Sequence, residues 1–273
     1  MIYGMPNSIL QQGKLMSNSL PPIVMSIAGH DPTGGAGIQA DIEAIHAAAC
    51  YPVSVLSCLT VQDTHNVHRI EAVSSELLLQ QARTLLEDMP IRVIKLGLLG
   101  SEANIIAVSQ LLSEYPDIPV VCDPILAAGG GKSLSNTALI ETLKKVLLPH
   151  VDLLTPNIPE AIKLGIFSQK SPNYPIVLTY SLCHNILITG THSDSKQVHN
   201  SLYCNGKLVE KTTWNRLKHE YHGSGCTLAS NISAWLAQGL SLQEAVNKGQ
   251  AYTWNSLDQA QCLGQGQHIP YRI

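Results

Sequence analysis

From residue 22 onward, short apolar runs alternate with longer segments in which apolar residues recur every three or four positions. The short runs are typical of buried strands, and the longer segments are typical of amphipathic helices. The predicted strands are 22–28, 51–59, 93–98, 120–122, 151–155 and 185–189, and the predicted helices are 35–49, 74–88, 102–115, 136–147, 226–238 and 241–257. A hairpin is predicted over 202–208, because Asn205-Gly206 favours the positive φ of a tight turn.

Strands that alternate with helices predict an α/β fold, in which a mostly parallel sheet is covered by helices on both faces. Residues 1–20 carry polar side chains and no long apolar run, so they are predicted to be a disordered extension before one domain over 21–273. Ligands of such sheets bind beyond the carboxyl ends of the strands. The candidate functional residues are therefore those that directly follow each predicted strand.

The bulk composition narrows the class of partner. The chain has 273 residues, of which 45% are hydrophobic and 14% charged, with a net charge of -3. This balance gives no electrostatic reason to expect nucleic acid or an anionic membrane as partner. Seven cysteines without CxxC spacing argue against a disulfide framework or a structural zinc site, and a reducing cytoplasm fits them. Any phosphate must then be bound locally, by oriented amides and a metal ion.

The strongest single motif is His222-Gly223-Ser224-Gly225-Cys226, whose glycines lead into an apolar predicted helix. The free amides and the dipole of a helix start attract an anion. Cys226 would lie in the first turn, where the helix end favours the thiolate. A base beside an anion-binding site is what phosphoryl transfer to an alcohol requires. The alternative is a small buried cysteine at an ordinary helix start.

Two further segments follow the first two predicted strands. The glycines of residues 29–37 let the backbone approach a ligand, although the spacing is not that of a dinucleotide fingerprint. A tight turn without a ligand is the alternative there, with Asp31 and Asp41 as caps or surface charges. Gln62 offers a carbonyl and an amide on one side chain, which suits the edge of an aminopyrimidine ring.

Acidic residues follow two later strands. Asp123 comes directly after a predicted strand and is a candidate magnesium ligand, with a helix or loop cap as the alternative. Asn157 and Glu160 are three residues apart at a predicted helix start, so they share one face and are candidates to hold a metal through waters. Their alternative role is a capping box.

Three of these segments together resemble a known family. Residues 27–41, the segments Thr155-Pro156-Asn157 and Pro159-Glu160-Ala161, and residues 222–228 are similar to motifs of the hydroxymethylpyrimidine/phosphomethylpyrimidine kinases of thiamin synthesis, in matching order over about residues 22–260. The resemblance implies a ribokinase-like αβα fold in a kinase domain over 21–273. It implies ATP-dependent phosphorylation of 4-amino-5-hydroxymethyl-2-methylpyrimidine and of its monophosphate. Mg²⁺ with ATP as co-substrate, a homodimer and a cytoplasmic location are implied as well, with a monovalent cation as a further candidate.

The resemblance also assigns roles to individual residues. Cys226 would be the catalytic base, and Gln62 would bind the aminopyrimidine edge. Gly29, Asp41, Leu98 and Ile125 would line the pyrimidine pocket; Gly223, Ser224 and Gly225 would bind phosphate; Asn157, Glu160, Thr189 and Gly190 would lie beside the nucleotide; and Glu160 with Asp123 would serve magnesium.

The chain departs from the family's pattern at three places, and these leave other functions open. Thr189 stands where the family often has a lysine, residues 129–131 form an unusually glycine-rich loop, and 164–185 is short. Cys226 is shared with some pyridoxal kinases, so pyridoxal is the alternative substrate. A cysteine hydrolase that uses Cys226 with His222 or His219 is a different class of enzyme. A binder that keeps the pocket without phosphate transfer is the fourth hypothesis.

Overall fold

The computed structural model describes residues 20–127, 131, 134–166, 183–190 and 195–273. In these residues nine strands form one sheet in the order β3-β2-β1-β4-β5-β6-β7-β8-β9. The strands are β1 Ile23–His30, β2 Tyr51–Gln62, β3 Val67–Ala72, β4 Ile91–Leu96, β5 Val120–Cys122, β6 Leu153–Leu154, β7 Asn185–Ile188, β8 Gln197–Cys204 and β9 Lys207–Asn215. The extension predicted for residues 1–20 lies, apart from Leu20, outside the described residues.

The centre of the sheet is parallel, as predicted. Strands β2, β1, β4, β5, β6 and β7 pair in parallel, and antiparallel strands extend the sheet at both edges. The hairpin predicted around Asn205-Gly206 joins β8 to β9, with φ of 48° and 76° at the two residues. Sequence reasoning missed β3, because this edge strand carries His68, Arg69 and Glu71 and has no apolar run.

Seven α-helices lie in the described residues: α1 Gly37–Ala47, α2 Ser75–Asp88, α3 Glu102–Glu114, α4 Thr137–Thr142, α5 Ile158–Lys163, α6 Ser224–Ala237 and α7 Leu242–Asp258. Ser74 caps α2 by accepting a hydrogen bond from the amide of Leu77. The capping box predicted for Ser241 and Glu244 is present at the start of α7. The single helix predicted over 136–147 is α4 followed by a π-helical turn over Leu143–Leu147.

Two apolar cores, one on each face of the sheet, give the three layers. Met25 and Ile27 of β1 face the core formed with α2, α3 and the α4 region, whereas Val24, the residue before Met25, faces the core formed with α1, α6 and α7. This alternation follows from the two-residue period of a strand. The predicted αβα arrangement is therefore confirmed.

Two further findings concern predictions made from composition. All seven cysteines are free thiols, and only Cys262 among them is exposed. No helix in the described ranges has both the length and the apolarity needed to cross a membrane. The predictions made for residues 129–130 and for most of 164–185 fall outside the described residues.

A buried ion pair joins the sheet to the helices on one of its faces. The Nζ of Lys95 on β4 lies 2.7 and 2.8 Å from the two carboxylate oxygens of Asp41 on α1, and both side chains are fully buried. Ser26 of β1 and Ser230 of α6 donate their hydroxyls to the same carboxylate at 2.6 and 2.7 Å. Burial disfavours the charged lysine, but the Asp41 carboxylate holds the pKa of Lys95 above its usual value.

We expect Lys95→Met to lower the free energy of unfolding by about 3–5 kcal/mol, because it leaves a buried carboxylate without its counter-charge. Guanidinium denaturation followed by circular dichroism measures the change. Lys145→Met is the matched control, since the Lys145 side chain is 75% exposed in its pair with Glu141 and its loss should leave the midpoint unchanged. Equal midpoints for the two variants would contradict a stabilising role for the buried pair.

Candidate active site

A cleft of about 980 Å³ opens at the carboxyl ends of the parallel strands. It is lined by residues at or just after the carboxyl ends of β1, β2, β4, β5, β6 and β7, which is where ligands bind in this kind of sheet. Most of the predicted site residues meet there: Gly29, Gln62, Leu98, Asp123, Ile125, Asn157, Glu160, Thr189, Gly223, Ser224, Gly225 and Cys226.

Two predicted site residues lie elsewhere. Asp41 does not line the cleft, because its carboxylate is fully buried beneath it in the pair with Lys95. The pocket role predicted for Asp41 is therefore replaced by a structural one. Gly190 also lies outside the cleft lining, and its amide donates to Oδ1 of Asn200 at 3.0 Å. A Cβ at Gly190 would meet the carbonyl oxygen of His199 at 2.1 Å, so the glycine permits close packing against β8.

The start of α6 has the geometry of an anion-binding site. Gly223 is the N-cap with φ of 70°, and no side chain caps the helix. The first amides of a helix have no partner within the helix, so those of the first turn remain free to bind an anion. A Cβ at Gly223 would lie 2.0 Å from the carbonyl oxygen of Gly35. The two glycine segments predicted to be functional therefore pack directly on each other.

Cys226 is a neutral thiol in this environment. Burial raises the pKa of the Cys226 thiol to about 12; the ammonium of Lys95 opposes the shift, and the carboxylates of Asp41 and Asp123 add to it. The prediction that the helix start lowers this pKa is wrong, because burial and two carboxylates outweigh the helix dipole. The carboxylate of Asp123 and the amide of Gly37 lie close enough to the Cys226 thiol to affect its proton affinity.

Asp123 reaches Cys226 because residue 225 is a glycine. A Cβ at Gly225 would lie 2.9 Å from Oδ2 of Asp123. Burial raises the pKa of Asp123 to about 7, and the nearby charge of Glu160 contributes, while Lys95 opposes. A carboxyl with a pKa near neutrality can accept and release a proton at physiological pH. The sequence marked Asp123 only as a metal ligand or a cap.

The predicted capping box at α5 is present, and its residues also line the cleft. Oδ1 of Asn157 accepts from the amide of Glu160 at 2.9 Å, and Oε2 of Glu160 accepts from the amide of Asn157 at 3.0 Å. Oε1 of Glu160 accepts from the amide of Leu126 at 3.1 Å, next to Ile125, whose φ of 32° is unusual for a β-branched residue. Glu160 therefore holds the turn that brings Ile125 to the cleft.

Glu160 and Asp123 together fit a divalent cation. Burial raises the pKa of Glu160, and the backbone amides of Asn157 and Leu126 oppose that shift. Burial raises the pKa of both carboxyls, and the negative charge of Glu160 repels that of Asp123. A bound cation would relieve this repulsion. The described residues hold no group of three or more His, Cys, Asp and Glu that could bind a metal alone. Such a pair instead suits Mg²⁺, which keeps waters and takes its other ligands from substrate phosphates.

Sequence reasoning missed Arg272. Its guanidinium is buried and donates to the carbonyls of Gly34 and Gly35, to Oγ1 of Thr227 at 2.8 Å and to Glu43 at 3.0 Å. Thr227 in turn donates its hydroxyl to the carbonyl of Gly223 at 2.8 Å. Arg272 thus holds the glycine segment of α1 against the start of α6. Arg272 belongs to no recognised sequence motif, so the sequence did not indicate this role.

Asp31 is a buried cap, which was one of its two predicted alternatives. It accepts hydrogen bonds from the amides of Thr33 and Ala36 at 2.9 and 2.8 Å and from Nε2 of His222 at 2.7 Å. Burial opposes the charged form, but the hydrogen bond to His222 and those to Thr33 leave the pKa of Asp31 below its usual value. His222 in turn contacts the amide of Gln62.

The comparison with known families agrees with this geometry. A family model described as phosphomethylpyrimidine kinase matches residues 31–272. The chain belongs to this family. It is 35% identical over 247 residues to the thiamine biosynthesis bifunctional protein ThiED of Geobacter sulfurreducens, with 89% of the chain and 50% of that protein covered. It therefore spans about half the length of that relative. A hydroxymethylpyrimidine/phosphomethylpyrimidine kinase of Staphylococcus aureus is 31% identical over 252 residues, with 90% and 91% covered.

Solved structures confirm the predicted ribokinase-like fold. The pyridoxal kinase of Staphylococcus aureus in complex with AMP-PCP and pyridoxal matches with a TM-score of 0.82 and 23% identity, covering 93% of this chain and 94% of that one. A phosphomethylpyrimidine kinase of Clostridium difficile matches with a TM-score of 0.69 and 29% identity, covering 85% and 97%.

The raised pKa of Cys226 predicts how the thiol reacts. Because the thiolate is the nucleophile, alkylation of Cys226 by iodoacetamide should still rise about tenfold per pH unit between pH 7.5 and 9.5. Peptide mass spectrometry measures the rate, and exposed Cys262 reports on the reagent in the same sample. The slope of the alkylation rate against pH reports the pKa of the thiol, because poor access of the reagent to Cys226 slows the reaction equally at every pH. A rate at Cys226 that is already level at pH 8 would contradict the neutral thiol.

Proposed function

We propose that the chain transfers the γ-phosphate of ATP to the hydroxymethyl group of 4-amino-5-hydroxymethyl-2-methylpyrimidine, and then phosphorylates the monophosphate. The observation that carries the proposal is the meeting of Gln62, the free amides of α6 and the Cys226–Asp123 pair in one cleft. Gln62 would bind an aminopyrimidine, the amides of α6 would bind a phosphate, and the Cys226–Asp123 pair would accept the proton of an alcohol. The names of the family and of its relatives support the same reaction.

The start of α6 would bind the phosphoryl group in transit. Its free amides point at one place and carry the positive end of the helix dipole, so they stabilise charge that spreads over the transferring oxygens. Lys163 also lines the cleft, three residues after Glu160, and its charge lowers the pKa of that carboxyl. It provides a lysine in the cleft even though residue 189 is a threonine.

The proton of the alcohol would move through Cys226 to Asp123. Since the pKa of the thiol is raised to about 12, the thiolate is scarce at neutral pH and a relay suits the site better than a free thiolate base. The alcohol gives its proton to sulfur as the thiol proton passes to the carboxylate of Asp123. The oxygen attacks phosphorus as its proton leaves, so that no free alkoxide forms. This is a refinement of the role that the family resemblance implies for Cys226.

Magnesium would be held by Glu160, with Asp123 adding a second negative charge. When bound with ATP, the ion would neutralise part of the negative charge on the phosphates. Glu160 is positioned for this task by the amides of Asn157 and Leu126, which orient both of its oxygens. The cleft is also large enough for a nucleotide and a small ring together.

Pyridoxal remains the second candidate substrate. The solved structure with the TM-score of 0.82 is a pyridoxal kinase, whereas the phosphomethylpyrimidine kinase matches at 0.69. The higher structural likeness at 23% identity concerns the fold alone. Gln62 favours the aminopyrimidine, because its amide complements a ring nitrogen beside an exocyclic amine.

The contacts of the histidines disfavour a cysteine hydrolase. His222 hydrogen-bonds with Asp31 and contacts Gln62, and the ring of His219 stacks on that of His268 at 4.0 Å. The thiol of Cys226 contacts a carboxyl instead, and its raised pKa opposes the thiolate that a hydrolase needs. A binder without phosphate transfer remains an outcome of the activity test below.

The substrate is decided by ADP release measured with the pyrimidine alcohol, its monophosphate and pyridoxal in parallel. We expect the highest kcat/KM with the pyrimidine alcohol and turnover with its monophosphate. A higher kcat/KM with pyridoxal would replace the proposed substrate. Binding of ATP and pyrimidine by calorimetry without any ADP release would show a binder and overturn the kinase assignment.

Cys226→Ala should lower kcat roughly 100-fold, the scale of a lost proton-transfer group, with ATP affinity nearly unchanged. Steady-state kinetics and calorimetric titration with ATP measure the two quantities. Cys262→Ala is the matched control, because Cys262 is exposed and does not line the cleft. Turnover within a few-fold of the unmodified enzyme in Cys226→Ala would remove the thiol from the proton path.

Several expectations stay predictions. These are the single kinase domain over 21–273 with a disordered segment before it, the homodimer, the cytoplasmic location, the absence of nucleic-acid and membrane partners, and the monovalent cation. Light scattering of the purified chain gives the oligomeric state. Activity with potassium replaced by tetramethylammonium tests the cation.

A further inference from the structure

Gln62 lies in a small hydrogen-bond network at one wall of the cleft. One terminal atom of its amide lies 2.7 Å from Nε2 of His222, and the other lies 3.2 Å from Oγ1 of Thr60. The same nitrogen of His222 lies 2.7 Å from Oδ2 of Asp31. His222 and Asp31 are buried, with 8% and 2% exposed. The network determines which way round the amide lies.

The contacts of Asp31 assign the proton on His222. Its carboxylate accepts from the amides of Thr33 and Ala36 and from the hydroxyl of Thr33. A carboxylate oxygen can only accept a hydrogen bond, and Oδ2 of Asp31 lies 2.7 Å from Nε2 of His222. Nε2 of His222 must therefore carry a hydrogen. A protonated ring nitrogen cannot accept a hydrogen bond. The single hydrogen on Nε2 is then shared between Asp31 and Gln62, so the atom of Gln62 that faces His222 must be an acceptor, the carbonyl oxygen.

The contacts of Thr60 lead independently to the same orientation. Its hydroxyl donates its single hydrogen to the carbonyl of His30 at 2.9 Å. Toward Gln62 the hydroxyl can only accept, so the facing atom must be the amide nitrogen. The structure places the nitrogen toward His222 and the oxygen toward Thr60. Oxygen and nitrogen of an amide have nearly the same size, and the hydrogen bonds require the reverse of that placement.

We propose that His222, held by Asp31, and Thr60 are positioning residues that lock the amide of Gln62 in one orientation and so determine the specificity of the cleft. The locked amide has one N–H and one oxygen lone pair left for a ligand, in a fixed order. A ring with an acceptor nitrogen beside an exocyclic amine matches this order, whereas a 4-oxo ring with N–H presents the reverse order and is rejected. The inference rests on the proposed function, because it assumes that Gln62 meets the pyrimidine.

The test compares two alcohols that differ only in this edge. The 4-amino pyrimidine alcohol and its 4-oxo analogue reverse the donor and acceptor positions. We expect the unmodified enzyme to prefer the 4-amino compound by at least about 1,000-fold in kcat/KM, as sites do when a wrong ligand leaves buried polar groups unpaired. Thr60→Val and His222→Leu should each reduce this ratio at least tenfold, because the freed amide can rotate to accept the 4-oxo ring.

Matched variants separate orientation from folding. Thr60→Ser keeps the hydroxyl and should restore most of the preference lost in Thr60→Val. His68→Leu removes an exposed histidine that pairs with Asp63 on the same hairpin, at 2.8 Å, and should leave the preference unchanged. If His222→Leu fails to fold, the Thr60 pair still decides the matter.

The outcomes distinguish this inference from the proposed function. If the unmodified enzyme phosphorylates the 4-amino compound and Thr60→Val retains the full preference, the locked amide is refuted while the kinase assignment stands. If the unmodified enzyme releases no ADP with either alcohol, the proposed function fails first. Calorimetric binding of the two alcohols without ATP measures the binding part of this preference independently of turnover.

Discussion

The Lys95–Asp41 ion pair lies directly beneath the cleft, and the site above it depends on this pair. The Asp41 carboxylate joins α1 to β4 through Lys95, to β1 through Ser26 and to α6 through Ser230. The glycine segment before α1 and the anion-binding start of α6 are therefore set against each other by one buried carboxylate. The ammonium of Lys95 is also the buried positive charge that opposes the raised pKa values of Cys226 and Asp123. The same ion pair thus contributes to the stability of the fold and influences the pKa values of the site.

Close backbone packing is the second constraint. Gly223 packs on the carbonyl of Gly35, and Gly225 admits the carboxylate of Asp123 beside Cys226. Any side chain at these positions would separate the elements that form the cleft. Arg272 then binds the carbonyls of Gly34 and Gly35 and the hydroxyl of Thr227. These glycines are needed for two loops to pack closely, in addition to leaving space for a phosphate.

Much of the fold could be predicted from periodicity, because buried strands and amphipathic helices leave regular apolar patterns. Strand β5 was predicted at its observed bounds, and the capping box of Ser241 with Glu244 was predicted from its spacing. Strand β3 could not be predicted, since its polar residues lie at an exposed edge of the sheet. The lining of the cleft by Gln62, Glu160 and Cys226 followed from their positions after strands or at helix starts. The burial of Asp41 did not, because its partner Lys95 is 54 residues away.

The sequence by itself determined the αβα layers, the glycine-lined start of α6 and the set of side chains at the carboxyl ends of the strands. These features depend on residue type and local spacing, which are properties of a few neighbouring residues. Only the tertiary structure decided the protonation of Cys226, the proton affinity of Asp123, the structural role of Asp41 and the hydrogen-bond partners of the Gln62 amide. Each of these depends on desolvation and on partners distant in the chain, and neither is encoded in a local pattern.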